Sequence, residues 1–187
     1  MSRNRTCAVA VFVWATVAHG QAPTLSQYAP LSVSRSSTYF ESPTESEIRR
    51  LLRAQPFFGV FDHFAYRVDG GIVTLSGEVM HPELRSSAQV VVSTIQGVMY
   101  VNNQIRLLTV SPPENQIRKD VFVAIYADPW LRPYSLASGG AIHIVVQGDR
   151  VTLEGEVSSG PDRQRAADLA KATRGVSAVV NHLTVSN

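Results

Sequence analysis

The stretch Val73-Thr74-Leu75-Ser76-Gly77-Glu78-Val79 returns 78 positions later as Val151-Thr152-Leu153-Glu154-Gly155-Glu156-Val157. Apolar residues at alternate positions predict a strand, with Val73 and Leu75 on one face and Thr74 and Ser76 on the other. The glycine inside it predicts a bulge, or a neighbour too close for a Cβ. The two copies stay in step without a gap over 71–107. Arg85 meets Arg163, Ala88 meets Ala166, Gly97-Val98 meets Gly175-Val176, Val101 meets Val179, and Asn103 meets Asn181. A long period present twice predicts two copies of a small domain, because a solenoid stacks shorter units in greater number.

Outward from that stretch, each copy reads as helix, strand, strand, helix, strand. In the first, Ser42-Pro43-Thr44-Glu45 has capping-box spacing with proline at the first helical position. Ile48, Leu51, Leu52 and Gln55 then share one face, with Arg49, Arg50 and Arg53 on or near the other. Pro56 ends the helix, and Phe57, Phe58, Val60, Phe61 and Phe64 make an aromatic connector. A short strand over 65–68, a tight turn at Asp69-Gly70-Gly71 and a strand over 72–79 form a hairpin. His81-Pro82-Glu83 opens a helix with Leu84, Ala88, Val91, Val92 and Ile95 inward, Gly97 stops it, and 98–108 reads as the third strand. A strand, helix, strand crossover is right-handed.

In the second copy Ser111-Pro112-Pro113-Glu114 serves as both helix start and short, stiff linker. Ile117, Val121, Ala124 and Ile125 form the inward stripe. Strands are predicted over 142–146, 151–157 and 176–185, and a helix over 162–173 with Ala166, Leu169, Ala170 and Thr173 inward. Upstream of the strands the copies align at an offset of 73, so that Pro56-Phe57-Phe58 faces Pro129-Trp130-Leu131 and Ile48 and Leu52 face Val121 and Ile125. The second copy is therefore longer, and the extra residues fall in a surface loop around 135–141. The expected fold is α+β: two tandem α-β-β-α-β sandwiches, 42–110 and 111–187, each a three-stranded mixed sheet packed by two helices. Units of roughly 70 residues bury only about 60% of their unfolded surface, so the copies are expected to pack together or on a partner.

Arg3 and Arg5 precede an apolar run over 7–18 and the sequence Ala18-His19-Gly20, the layout of a secretory signal peptide over 1–20. An uncleaved anchor is the alternative, although a membrane helix needs about 20 apolar residues. Its removal takes with it Cys7, the only cysteine, and with it thiol chemistry, disulfides and cysteine metal sites. It also leaves the 15 acidic residues balanced by as many basic ones, so no global field draws nucleic acid or anionic lipid. Residues 21–41, rich in Ser, Thr, Gln, Pro and Ala, read as a flexible tether in which Leu25, Tyr28, Leu31, Tyr39 and Phe40 are scattered. The expected location is periplasmic or secreted, peripheral to a membrane.

No catalytic constellation emerges. His63, His81, His143 and His182 lack metal-ligand spacing. Glu78 and Glu156 read as outward carboxylates within pairing reach of Arg85 and Arg163. Gly70-Gly71 and Gly139-Gly140 lack a phosphate-loop context. No enzyme activity, cofactor, metal or small-molecule substrate is expected.

The hairpin Gly71-x-Val73-x-Leu75-x-Gly77-x-Val79, the helix bearing Arg85 and Ala88, and the closing Gly97-Val98-x-x-Val101-x-Asn103 resemble the BON domain, named after bacterial OsmY and nodulation proteins. The second copy keeps Val151, Leu153, Gly155, Val157, Gly175, Val176, Val179 and Asn181, with Asp149 replacing the first glycine. The resemblance covers about 44–187. It implies a small α/β sandwich, a bacterial envelope setting, binding to phospholipid surfaces or a stress-related, chaperone-like role, and no shared catalytic residues.

The remaining signal is surface chemistry. Arg49, Arg50 and Arg53 beside Phe57, Phe58 and Phe61, and Arg118 and Lys119 with Trp130, Arg132 and Tyr134, are the candidates for contact with anionic headgroups. Core burial is the competing reading of the aromatics. The expected partners are an anionic phospholipid surface or, as the alternative, envelope proteins that a holdase or bridging module would bind. Nucleic acid is not expected.

Overall fold

A computed structural model of the chain describes residues 42–136 and 141–186. The expected signal peptide and tether, and most of the expected 135–141 loop, lie outside the described residues. The first repeat runs α1 (Pro43–Arg53), β1 (His63–Asp69), β2 (Ile72–Val79), α2 (Pro82–Ser93), β3 (Tyr100–Asn103) and β4 (Arg106–Leu107). The second runs α3 (Pro112–Tyr126), a 3-10 turn (Arg132–Leu136), β5 (Ile142–Gln147), β6 (Arg150–Val157), α4 (Gly160–Ala172), β7 (Ala178–Asn181) and β8 (Thr184–Val185).

In each sheet the repeated strand is central. β1 pairs antiparallel with β2, and β3 and β4 lie parallel to it on the register Ile72↔Tyr100 and Glu78↔Arg106. β5, β6, β7 and β8 repeat this with Arg150↔Ala178 and Glu156↔Thr184. The register continues unchanged from β3 to β4 and from β7 to β8. Each pair is therefore one interrupted strand, and each sheet is the expected three-stranded mixed one. The interruption faces the repeated glycine. Gly77 and Gly155 both have φ +118°, and a Cβ there would meet the carbonyl oxygens of His63 and Ala141 at 2.1 Å.

The helix starts follow their capping sequences. The Ser42 hydroxyl accepts from Glu45 N at 3.2 Å, while Glu45 accepts from Ser42 N at 2.8 Å. At α3 the matching glutamate does something else: Glu114 Oε1 accepts from Gly148 N at 2.7 Å, joining the helix start to the β5–β6 turn. α2 ends at Ser93, one turn before Gly97, and Ile95 packs on the core from the turn that follows. Helices cover one face of each sheet. The first core joins Ile48 and Leu52 of α1 with Val73, Leu75 and Val79 of β2 and Leu84, Ala88 and Val92 of α2. The second joins Ile117, Val121 and Ile125 with Ile142, Ile144, Leu153, Ala166 and Ala170.

The repeats meet through the first repeat's connector. Val60 and Phe61 pack on the second repeat's core, and the Ile144 N–H on the free edge of β5 donates to the Val60 carbonyl at 2.7 Å. The corresponding edge, β1, pairs with no further strand among the described residues and carries the exposed charges Arg67 and Asp69, a common protection against unwanted strand pairing. No helix among the described residues is long and apolar enough to cross a membrane.

Candidate functional surface

Around the end of α1 the expected cluster separates into an exposed part and a buried part. Arg49, Arg50 and Arg53 are exposed, and Arg50 holds Glu47 through Nε at 2.7 Å and Nη2 at 2.6 Å. Phe57 is 71% exposed, and its φ of +69° makes it the one non-glycine residue with positive φ among the described residues. That conformation is a genuine outlier for a bulky residue. Phe58 turns the other way and stacks on Phe64 at 5.1 Å between ring centroids, and Phe61 packs on Phe122 at 6.1 Å. Phe58 therefore belongs to the interior, because the connector must close its own sheet and reach the second repeat. The connector is held by Asp62, which sequence reasoning passed over. It is 2% exposed and accepts from Gly59 N at 2.9 Å and Met80 N at 2.6 Å.

The second repeat sorts in the same way. Trp130, aligned with Phe57, is also 71% exposed. Its backbone N–H donates to Asp128 at 3.0 Å, and Asp128 is gripped by Arg165 at 2.6–2.9 Å. That guanidinium holds the Asp128 carboxyl below the usual carboxylate range. The following Leu131 is fully buried. Lys119 and Arg132 are exposed, with the exposed Val123 one helical turn beyond Lys119.

Two expected surface residues are corrected. Tyr134 packs on the core, donates to Asp162 Oδ2 at 2.7 Å and accepts from Ser158 N at 2.8 Å, so its hydroxyl is committed to tying the connector to α4. Arg118 is only 2% exposed. Its Nη1 donates to Asn115 Oδ1 at 2.8 Å, and its Nη2 donates to the carbonyls of Thr109 at 2.8 Å and Val146 at 3.0 Å. It anchors the linker and β5 instead of offering charge to a ligand. Glu78, for its part, pairs with Arg106 on the adjacent strand and not with Arg85.

Two features were not visible from the sequence. Val90, Met99, Tyr100 and Leu107 expose apolar surface along a groove of 710 Å³ between α2 and the β3–β4 edge. At the seam between repeats, His143 Nδ1 lies 3.2 Å from the Gly59 carbonyl, and the His63 and His143 rings lie 6.4 Å apart. Glu154 stands 3.9 Å from His63 Nε2 and 2.7 Å from His182 Nδ1. Among the described residues no group of three or more His, Cys, Asp or Glu is placed to hold a metal ion.

Two copies of a helix, strand, strand, helix, strand unit, each with the same glycine pressed against the neighbouring strand in its central strand, define a tandem α+β domain protein. The BON domain model matches residues 41–109 and again 114–187, and the chain belongs to the BON domain family. Proteins of this family are typically periplasmic or associated with the cell envelope. No curated protein matches the chain. Among solved structures it is similar to CdsD, a structural protein of the type III secretion system of Chlamydia trachomatis. The identity is 11% over 75% of this chain and 91% of that one, with a TM-score of 0.31. The C-terminal domain of CdsD is similar at 11% identity, 76% and 96% coverage and a TM-score of 0.26. Likenesses at that level carry no weight for fold or role.

Proposed function

We propose that this chain is an exported, non-catalytic envelope protein that rests on anionic phospholipid through two aromatic tips, Phe57 and Trp130, and supports envelope integrity under stress. The observation that carries this reading is their equivalence. They occupy matching positions after the first helix of each repeat and are both 71% exposed, while most of the aromatics around them turn inward. A large ring beside exposed cations suits the headgroup boundary, where the ring enters the interface and the cation stays with phosphate. Arg49, Arg53, Lys119 and Arg132 supply those cations. Each contributes about 1 kcal/mol near an anionic surface, so binding should be weak and sensitive to salt.

The test is flotation of the exported protein with vesicles of increasing phosphatidylglycerol content. Expected is binding that rises with anionic lipid, falls with salt, and is lost when Phe57 and Trp130 are both replaced by alanine. No flotation at low salt on any vesicle would overturn the reading.

The groove between α2 and β3 favours a second reading, binding of an envelope protein or an unfolded client. It is a property of the first repeat: Val90, Met99 and Tyr100 correspond to Asp168, Ser177 and Ala178 in the second. Delayed aggregation of a denatured client, abolished by Tyr100→Asp, would support it over lipid binding.

A further inference from the structure

Titratable groups converge on the seam between the repeats. Val60 extends the second sheet by one rung through its hydrogen bond from Ile144 N–H at 2.7 Å. Beside that rung His143, 8% exposed, lies against Phe58 at 5.2 Å between ring centroids, with Nδ1 toward the Gly59 carbonyl. A carbonyl only accepts, so the neutral ring carries its proton on Nδ1. None of the four central groups has a titratable counterpart in the other repeat: His63 aligns with Ala141, His143 with Ala65, Glu154 with Ser76 and His182 with Gln104. The cluster belongs to the junction and is not required by the fold.

A second proton on His143 would place a cation in a nearly closed site. His63 and, from the end of α1, Arg53 face it with charge of the same sign, and burial is the largest cause holding its pKa down to about 4. Hydrogen bonds with the Gly59 and Asp62 backbones offset this only in part. The Asp62 carboxylate already serves two backbone N–H groups and faces His81. Burial likewise lowers the His63 pKa, with Glu154 and Glu78 pulling it up and His182 pushing it down.

We propose that the seam is an acid-released clamp: protonation of His143, with His63 beside it, frees the connector at Gly59 and Val60 and uncovers the β5 edge while both sheets stay folded. A base whose pKa is depressed in the closed state binds its proton more readily once released. The closed seam is therefore fully favoured above the ordinary histidine value of 6.5 and loses ground as pH falls towards about 4.

Amide hydrogen exchange on the exported protein, read by NMR between pH 7.5 and 4.5 and corrected for intrinsic rates, tests this. Protection of Ile144 should fall at least about tenfold relative to the amides of β2 and β6, from the linkage of one strongly shifted histidine. A constant ratio, or loss of Ile144 protection in step with those strands, would overturn the clamp. His143→Gln keeps a donor for the Gly59 carbonyl but cannot titrate, and should remove most of the drop; an unchanged drop overturns the proposal. Titration of the His143 ring in the unsubstituted protein needs no variant: a midpoint near 6.5 would sink the idea, and one well below it is expected.

Discussion

Gly155 shows how much of each repeat hangs on single positions. Its φ of +118° and the 2.1 Å approach to the Ala141 carbonyl mean that an added Cβ would collide with backbone, which cannot swing aside as a flexible side chain can. Gly155→Ala is expected to cost roughly 2–4 kcal/mol in urea unfolding. Gly148→Ala, at φ +64° with open space around it, should cost about 1 kcal/mol. Of the two readings of that glycine, a bulge or a neighbour too close for a Cβ, the second holds: pairing runs through Gly77 in unbroken register while the His63 carbonyl closes on it. The repeated asparagine was legible only as a recurrence. Asn103 donates from Nδ2 to the Arg85 carbonyl at 2.8 Å and accepts from Ile105 N at 3.1 Å, and Asn181 repeats this with Arg163 and Leu183 at 2.9 and 3.1 Å. It bridges a helix to the break in the third strand, a contact between residues too far apart in sequence for local pattern to show. Asn181→Ala should lose about 1–2 kcal/mol, and Asn181→Asp, which keeps the acceptor but sets a carboxylate oxygen against the Arg163 carbonyl, at least as much.

Among the elements, α3 departs most from its counterpart. It runs 15 residues against 11 in α1, one turn more, and the added turn at its start carries Asn115, whose Oδ1 accepts from Arg118 while that guanidinium reaches the carbonyls of Thr109 and Val146. Helical periodicity gave the apolar stripe correctly but assigned Arg118 to solvent beside Lys119. The mistake has a physical source: an amphipathic pattern sorts residues by type, and a buried arginine is revealed only by acceptors lying in the linker and in β5. Arg118→Ala would strand those carbonyls and is expected to cost roughly 2–4 kcal/mol in chemical denaturation. Lys119→Ala, on the solvent side, should stay within about 0.5 kcal/mol. The third strands were likewise read as single runs, because the Asn103 and Asn181 bridges that interrupt them are tertiary.

For the molecule as a whole, the duplication was plain from sequence, whereas the way its halves join was not. The seam is built from positions where the copies differ, such as Val60, His143 and Glu154, and a repeat comparison passes over differences. The two outer edges also differ in kind: β1 keeps Arg67 and Asp69 in solvent, whereas β5 is apolar and covered. Expressed alone, residues 111–187 should self-associate through the bared β5 edge, and residues 42–110 should remain monomeric, as sedimentation velocity would report. The join also runs one way. The first repeat supplies the plug and the second the socket, while the chain at the second repeat's own plug position is folded home, with Leu131 buried and Tyr134 bonded to α4. Among the described residues, molecules meeting one another in solution therefore find no spare plug to offer, and crowding will not string them into head-to-tail chains through this join.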